Sequence, residues 1–384
     1  MDYKRPVFSK LPDVGTSIFA VMSGLANEVG AINLSQGFPD FPISGELIEL
    51  VSRFMKDGYN QYAPMPGVLA LREGIAAKTW DTYQMAYDPI SEITITPGAT
   101  EALFSIITSV VHPGDEVIII EPAYDSYAPA IELCGGVVRH SALQLPDYHV
   151  HWDEIKSLIT IHTRMIIINT PHNPTGAVLQ KSDLLELQKI TDGTDILVLS
   201  DEVYEHLIFD GIRHESVCWY PELAKRSYVV GSFGKTFHAT GWKTGFILAP
   251  HDLMVEVRKV HQFVTFASNT PVQYALAEFI KDKTHYDYVP TFYQQKRDFF
   301  VNALQGSRFQ IIPCHGTYFQ LLNYDGISDE NELDFAIRLT KEFGVATVPV
   351  SPFYHDKQSN KMLRVCFAKG EETLSKAAEI LKSI

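Results

Sequence analysis

The segment YVVGSFGKTFHATGWKTGFILAP, residues 228–250, places two apolar runs on either side of a loop that contains two lysines. Short β-branched runs without polar alternation are typical of strands buried on both faces of a sheet. Similar runs, each followed by a turn or loop and a segment of helical period, recur between about residue 92 and residue 250. The predicted strands cover residues 93–96, 116–120, 165–169, 196–200, 228–232 and 245–249. This pattern predicts an α/β domain with a mostly parallel, doubly wound sheet.

The two ends of the chain show a different pattern. The last hundred residues predict an α+β order of helices over 291–306, 330–343 and 371–384, with strands over 309–312, 318–322, 346–350 and 362–366. The first residues, rich in proline and glycine, predict an arm that joins this smaller lobe. We therefore divide the chain into an N-terminal arm with part of the small domain (1–45), a large domain (46–285) and a small C-terminal domain (286–384).

Composition and charge narrow the class of protein. Of the 384 residues 46% are hydrophobic and 20% are charged, which are ordinary values for a folded α/β protein. The net charge of −14 argues against nonspecific binding to nucleic acid or to a membrane surface. No apolar run approaches the roughly 18 residues of a membrane helix, and the first residues contain no signal-peptide core. Four widely spaced cysteines predict reduced thiols and a cytoplasmic protein.

Polar motifs follow the predicted strands at the edge of the sheet where ligands bind in open α/β folds. Residues 97–102, PGATEA, begin a helix after a glycine turn and predict either an anion site or an ordinary helix cap. Asn173 lies in a loop constrained by two prolines, where a plain turn is an equal alternative. Asp201 ends a buried strand, so we expect a cation to pair with its carboxylate.

Lys235 lies in the loop SFGKT, directly after the predicted strand at 228–232. A lysine that loses its hydration can lose its proton and attack carbonyl groups. The Gly-Lys-Thr triplet does not indicate a P-loop, because Val229 occupies the position where that motif requires glycine. When this segment is considered by itself, an ordinary exposed loop is the alternative to a reactive lysine. The motif DEVY adds the phenol of Tyr204 directly after Asp201. Together, the anion site, the carboxylate, the Asn173 amide, this phenol and the lysine suit a phosphorylated aromatic aldehyde.

The order of motifs along the chain resembles that of a known enzyme family. The motifs are NLSQGFPDF (33–41), EPAYDSYAP (121–129), NTPHNPTG (169–176), SDEVYEH (200–206) and SFGKTFHATGWK (232–243). They resemble the fold-type I aminotransferases that use pyridoxal 5'-phosphate, and are most similar to the methionine and kynurenine aminotransferase branch. The resemblance extends from residue 33 to residue 369 and implies this cofactor and the family's large-domain fold.

The resemblance also implies roles for individual residues. Lys235 would hold the aldehyde of the cofactor covalently and then move the proton of the substrate α-carbon. Asp201 would keep the pyridine nitrogen protonated, and Tyr204 and Asn173 would contact the phenolic oxygen. Tyr124 would stack on the ring. The residues implied for the phosphate are Ala99, Thr100, Ser232, Lys243, and Tyr62 from a second copy of the chain.

For the substrate, the resemblance implies that Arg364 binds the α-carboxylate together with the backbone of Gly37, near Asn173. Phe38 would line the pocket for the side chain. Lys243 stands where many relatives carry arginine, and it supplies the same charge without a bidentate fork. The crossing tyrosine at position 62 implies a homodimer with shared active sites.

The resulting hypothesis is a ping-pong transamination from an apolar or aromatic L-amino acid to a 2-oxo acid. Methionine is the first candidate donor, followed by phenylalanine, tyrosine and kynurenine. A dicarboxylate donor is not expected, because no arginine can be assigned to bind its distal carboxylate. A cysteine-conjugate β-lyase is the alternative. A noncatalytic regulator on the same fold would need an additional basic DNA-binding segment.

A metal site is not predicted from the sequence. His149 and His151 alternate near Asp153, but no third ligand follows at a spacing typical of a metal site. We interpret this segment as the polar edge of a strand.

Overall fold

A seven-stranded sheet forms the centre of the protein in a computed structural model that describes residues 7–384. The strands of the whole described chain are β1 Ile32–Asn33, β2 Ile93–Thr96, β3 Glu116–Glu121, β4 Val137–Ala142, β5 Thr163–Asn169, β6 Leu197–Asp201, β7 Ser227–Ser232, β8 Gly245–Leu248, β9 Gln310–Ile311, β10 Phe319–Asn323, β11 Val345–Ala346, β12 Val348–Pro349 and β13 Met362–Cys366. The central sheet has the order β2-β8-β7-β6-β5-β3-β4.

This sheet is mostly parallel, as predicted. The pairs β4–β3, β3–β5, β5–β6 and β6–β7 are parallel, whereas β8 runs antiparallel to both β2 and β7. The strands predicted in this region are present with ends that differ by at most two residues. The sequence pattern missed β4, an edge strand whose residues are half exposed and include Arg139 and His140. An edge strand lacks the continuous apolar run that marks a buried one.

Helices cover both faces of the sheet, and the α/β fold is confirmed. They are α1 Ile18–Val29, α2 Gly45–Lys56, α3 Leu69–Tyr83, α4 Ala99–Val110, α5 Tyr127–Leu133, α6 Trp152–Leu158, α7 Lys181–Thr191, α8 Pro221–Ala224, α9 Phe233–Thr236, α10 His251–Val264, α11 Thr270–Phe279, α12 Thr284–Asp287, α13 Val289–Ala303, α14 Glu332–Arg338 and α15 Glu371–Lys382. Apolar side chains on one face of each long helix, such as Leu103 and Ile106 of α4, are buried against the strands.

The C-terminal part of the chain forms a second, antiparallel sheet of order β12-β13-β10-β9. The N-terminal segment joins this part through β1, which pairs in parallel with β11. No helix within residues 7–384 is long and apolar enough to cross a membrane. The domain boundaries at residues 45 and 285 and the cytoplasmic location stay predictions.

Three predicted elements of this part differ from the structure. The single strand predicted over 346–350 is two short strands in different sheets, β11 and β12, because the chain stops pairing with β1 at Ala346 and pairs with β13 from Val348 onward. The helix predicted over 330–343 is α14 followed by a π-helical turn that ends at Gly344. The helix predicted over 291–306 is α13, which begins earlier because Pro290 favours a first helical turn.

Candidate active site

A cavity of about 290 Å³ lies at the carboxyl ends of β5, β6 and β7, between the central sheet and the C-terminal sheet. Most of the site residues that the sequence predicts meet in its wall. They are Gly37, Ala99, Thr100, Tyr124, Asn173, Asp201, Tyr204, Ser232, Lys235, Lys243 and Arg364. Parallel strands bring together loops that lie far apart in the chain, which explains why motifs separated by up to 327 residues (37 to 364) form one site.

One end of the cavity is built to bind an anion. Helix α4 begins after Gly98, whose φ of 83° is in the left-handed region and which offers no side chain as a cap. A Cβ at Gly98 would lie 3.3 Å from Lys243 Nζ, so the ammonium group lies beside the start of the helix. Free backbone N–H groups, the helix dipole and a nearby ammonium all favour a negative ligand. This geometry favours the anion site over the ordinary cap.

Gly245 allows that end of the cavity to form. A Cβ at this position would lie 2.9 Å from the backbone nitrogen of Ala99, well inside van der Waals contact. Glycine at the start of β8 therefore lets the strand pass directly against the first residue of α4. The packing holds the helix start and Lys243 at one edge of the sheet.

Lys235 occupies the middle of the cavity wall, in the single turn α9 that follows β7. Its ammonium group donates a hydrogen bond of 2.8 Å to the hydroxyl of Tyr318, and the backbone oxygen of Gly37 lies 3.4 Å away. Burial lowers the pKa of Lys235 to about 8, and the positive charges of Arg364 and Lys243 act in the same direction. With this pKa about one-tenth of the amine is neutral at pH 7, far more than for an ordinary lysine, and the neutral amine is a nucleophile for carbonyl groups.

Asp201, at the end of β6, is buried in the cavity wall. Tyr127 donates a hydrogen bond of 2.6 Å to one carboxylate oxygen, and the Val203 N–H donates one of 3.2 Å to the other. Burial raises the pKa of Asp201 to about 6, and these two hydrogen bonds oppose the shift. Among residues 7–384 the side-chain partner of this carboxylate is a phenol, so the described chain does not itself supply the expected cation. The carboxylate therefore stays available to a cationic group of a bound ligand.

Arg364, on β13, is only 1% exposed and also lines the cavity. Its Nη1 donates to the side-chain oxygen of Asn173 at 2.9 Å and its Nη2 to the backbone oxygen of Ser35 at 3.2 Å. The guanidinium carbon lies 3.8 Å from the centre of the Phe319 ring. In the part of the chain that the structure describes, no carboxylate pairs with Arg364 and its Nε has no hydrogen-bond partner. A buried cation in this state is suited to bind a carboxylate ligand.

Asn173 and Tyr204 lie between Lys235 and Arg364. The backbone N–H of Asn173 donates to the Asn169 side chain at 2.8 Å, which fixes the loop against the end of β5. Its own side-chain oxygen accepts from Arg364, so its amide nitrogen is free to donate to a ligand. Tyr204 is buried, and burial raises the pKa of its phenol far above 10, which keeps it a neutral hydrogen-bond donor.

Two predicted site residues lie outside the cavity wall of this chain. The ring of Phe38 is 42% exposed and lies 4.8 Å from Lys369 Nζ, while its neighbour Gly37 enters the wall. Tyr62 is 86% exposed and packs edge-on against Phe266, with ring centres 5.6 Å apart.

Several functional candidates escaped the sequence reasoning. Tyr127 lies in the quoted motif EPAYDSYAP, three residues after Tyr124, and attention to its second aromatic residue would have found it. Tyr318 and Phe319 stand in a segment that reads only as an apolar strand, and Phe19 and Gln36 belong to the N-terminal region. Gln36 lies within the quoted motif NLSQGFPDF, beside Gly37, whereas Phe19, Tyr318 and Phe319 carry no local pattern that indicates a site.

The comparisons with known proteins agree with this geometry. Residues 29–381 match the family model of aminotransferase class I and II. The chain belongs to this family. A methionine aminotransferase of Escherichia coli is 51% identical over 98% of both chains. The crystal structure of YbdL from Escherichia coli, which was reported with a methionine aminotransferase function, has a TM-score of 0.97 at 50% identity over 99% of this chain and 100% of that one. A kynurenine–oxoglutarate transaminase of Dictyostelium discoideum is 33% identical over 99% of this chain and 97% of the relative. The resemblance inferred from the motifs is thereby confirmed.

Proposed function

We propose that the protein is a pyridoxal 5'-phosphate-dependent aminotransferase that moves the amino group of an apolar or aromatic L-amino acid to a 2-oxo acid. The observation that carries the proposal is the cavity itself, in which Lys235, Asp201 and Arg364 face one space without neutralising one another. Nucleophile, anionic partner and carboxylate anchor are the groups that transamination of an amino acid requires.

The donor set of the cavity fits pyridoxal 5'-phosphate. The start of α4 with Ala99 and Thr100, together with Ser232 and Lys243, would hold its phosphate. Asp201 would hold its ring nitrogen, and Tyr124 would contact its ring face. When bound, the cofactor supplies a conjugated ring that accepts electrons as the bond to the substrate α-hydrogen breaks.

The remaining groups of the chain would act on the substrate. Arg364 binds the α-carboxylate, with the Gly37 backbone and the Asn173 amide beside it, which orients the α-hydrogen toward Lys235. The neutral amine of Lys235 would take that proton from the α-carbon and deliver it to C4′ of the cofactor. Tyr204 donates a hydrogen bond to the phenolic oxygen of the cofactor. The same steps in reverse would load a 2-oxo acid, which gives the ping-pong order.

The wall around Arg364 favours an apolar side chain on the substrate. The rings of Phe319 and Phe19 lie 3.8 and 4.8 Å from the guanidinium carbon, and both line the cavity. Within the described chain the cations of the wall are Lys235, Lys243 and Arg364, each of which already has a place in the proposal. Within residues 7–384, no further cation lines the cavity for a distal carboxylate. Together with the methionine aminotransferase relative at 51% identity, this wall supports methionine as the first donor.

The absorption spectrum of the cofactor tests the proposed function directly. Methionine, tyrosine, kynurenine and aspartate are added separately to the yellow protein in the absence of any oxo acid. We expect methionine or an aromatic donor to convert the spectrum to that of the pyridoxamine form, and aspartate to leave it unchanged. A protein that stays colourless after incubation with pyridoxal phosphate would overturn the proposal. Release of pyruvate and ammonia from a cysteine conjugate without an acceptor would favour the β-lyase.

The lowered pKa of Lys235 predicts the pH dependence of cofactor capture. Only the neutral amine attacks the aldehyde, and its fraction rises with pH until the pKa is passed. With a pKa of about 8, the capture rate should rise about 50-fold from pH 6 to pH 8 and then level off. Nα-acetyl-lysine is the matched control. The pKa of its side-chain amine is not lowered, so its rate of reaction with the aldehyde should continue to rise up to pH 10. Capture that rises in parallel with the control up to pH 10 would contradict a lowered pKa.

Arg364→Lys should weaken the binding of both amino acid and oxo acid. The change keeps the positive charge but removes the planar fork that pairs with both carboxylate oxygens. Losing one charge-assisted hydrogen bond predicts a fall in kcat/KM of about 10-fold to 100-fold, mainly through KM. The absorption spectrum of the bound cofactor should not change. An equal effect on cofactor binding would show that the variant disturbs the whole cavity.

We also propose a homodimer in which Tyr62 of each chain reaches the phosphate site of the other. The ring is exposed and outside its own cavity, and Phe266, which packs edge-on against it, is 44% exposed. Sedimentation should give twice the mass of the chain, and Tyr62→Phe should weaken retention of the cofactor. The matched change Tyr59→Phe, on a tyrosine packed against Phe54 and Tyr274 of the same chain, should not. A monomer that retains the cofactor would contradict the shared site.

A further inference from the structure

A cluster of three side chains lies outside the cavity, at the carboxyl end of β3. Glu121 ends this strand, His140 lies on the neighbouring strand β4, and His355 follows the short helical turn Ser351–Phe353 of the C-terminal part. One oxygen of the Glu121 carboxylate lies 2.8 Å from His140 Nδ1, and the other lies 2.9 Å from His355 Nδ1. The two rings are stacked, with centres 4.1 Å apart and planes inclined by 20°. The three ligand atoms all lie within 4.8 Å of one another.

Charge and access at this cluster suit a divalent cation. The Glu121 side chain is buried, with 4% of its surface exposed, and its ion-pair partners among residues 7–384 are the two histidines rather than lysine or arginine. With neutral imidazoles the cluster carries one negative charge. The His355 side chain is 53% exposed, so an ion can enter from solvent without passing through the core.

The ligand types and their separation match zinc. Imidazole nitrogen and carboxylate oxygen are usual zinc ligands, and three protein ligands leave a fourth tetrahedral position for water. Tetrahedral coordination at about 2.0 Å requires the two Nδ1 atoms to lie about 3.3 Å apart. They lie within 4.8 Å of each other, so binding an ion would draw the two atoms together by at most about 1.5 Å. Magnesium fits poorly, because it prefers oxygen ligands in an octahedron.

We propose that Glu121, His140 and His355 form a binding site for a divalent transition-metal ion, with zinc as the best match. The ion would join the end of β3 to the loop after residue 353, where the Ala123 N–H already donates to the Phe353 oxygen at 2.8 Å. Tyr124 of the cavity wall follows three residues after Glu121, so the site lies beside the active site without sharing its groups. The proposal is independent of amino-group transfer.

Zinc binding to the cofactor-loaded protein, freed of metals with a chelator, tests this site. Calorimetric titration with zinc chloride should give one equivalent for the wild type, and His355→Ala and Glu121→Gln should bind more than about tenfold more weakly. His149→Ala is the matched control. Its imidazole also contacts a carboxylate, that of Asp147 at 2.8 Å, but it lies outside the cluster, so binding should be unchanged. Magnesium should not bind.

Two further measurements keep the result interpretable. Because binding stabilises the folded state, zinc should raise the Tm of the wild type and of His149→Ala but not that of His355→Ala. His355 is largely exposed, so its variant should fold even if Glu121→Gln does not. Cobalt(II) should give the visible absorption of a tetrahedral site in the wild type but not in His355→Ala. Failure of the wild type to bind zinc, or equal binding by His355→Ala, would overturn the proposal.

Discussion

Lys235→Ala should lower the rate of amino-group transfer by at least about 10⁴-fold, because one change removes both the nucleophile and the group that moves the α-proton. The variant should still fold, since the hydrogen bond that Lys235 gives to Tyr318 is not the only one of that phenol. Tyr318 also donates to the backbone oxygen of Gly37. Single-turnover absorbance changes with methionine would measure the loss.

Two matched variants separate the chemistry of Lys235 from its charge and its contacts. Lys235→Arg keeps a cation but cannot supply a neutral amine, so it should be as inactive as the alanine variant. Tyr318→Phe removes the hydrogen-bond acceptor and leaves the amine in place, so the rate should fall by less than about tenfold. If Lys235→Arg retained a large part of the activity, a positive charge rather than a nucleophile would be the function of this position.

Asp201→Asn should lower kcat by about 10³-fold, the second largest effect that we expect. The buried carboxylate would stabilise the protonated ring nitrogen of the cofactor, and a fixed charge in a site with little water contributes more than it would in solution. Asparagine has nearly the same shape but no charge. The measurement is kcat with methionine at pH 8, with the cofactor spectrum as a check on binding.

Tyr127→Phe is the matched control for Asp201. It keeps the carboxylate and removes the 2.6 Å hydrogen bond that opposes the upward shift of the pKa. The pKa of Asp201 should therefore rise further above 6, so the variant should resemble the wild type at pH 8 and lose activity progressively as the pH falls toward 6. Asp201→Asn should be slow at every pH. If Asp201→Asn kept more than a tenth of the wild-type rate, the carboxylate would not be the partner of the ring nitrogen.

The strands and the site residues that follow them were predictable because both leave local patterns. A strand buried on both faces needs an unbroken apolar run, and the runs before Asn173, Asp201 and Lys235 are of this kind. Parallel pairing then places the ends of these strands at one edge of the sheet. The direction of β8 had no such pattern, because an apolar run reads the same in a parallel and in an antiparallel strand.

The state of each charged group depended on partners that are distant in sequence. Nothing near Asp201 in the chain indicated that its partner would be Tyr127, 74 residues earlier, rather than a cation. Arg364 was identifiable by its motif, but only the packing of Phe319, Asn173 and Ser35 around it shows a buried guanidinium without a carboxylate.

By itself, the sequence therefore determined the α/β class, the family and the residues around the cavity, because buried strands and the loops after them follow from short-range apolar pattern and motif order. Only the tertiary structure decided which groups are paired, which remain free for a ligand, and that Phe38 lies outside the cavity wall. It alone brought Glu121, His140 and His355 together, since the three come from two strands and a loop up to 234 residues apart. Hydrogen bonds and ion pairs form only between side chains that lie close together, and the packing of the two sheets decides which side chains these are.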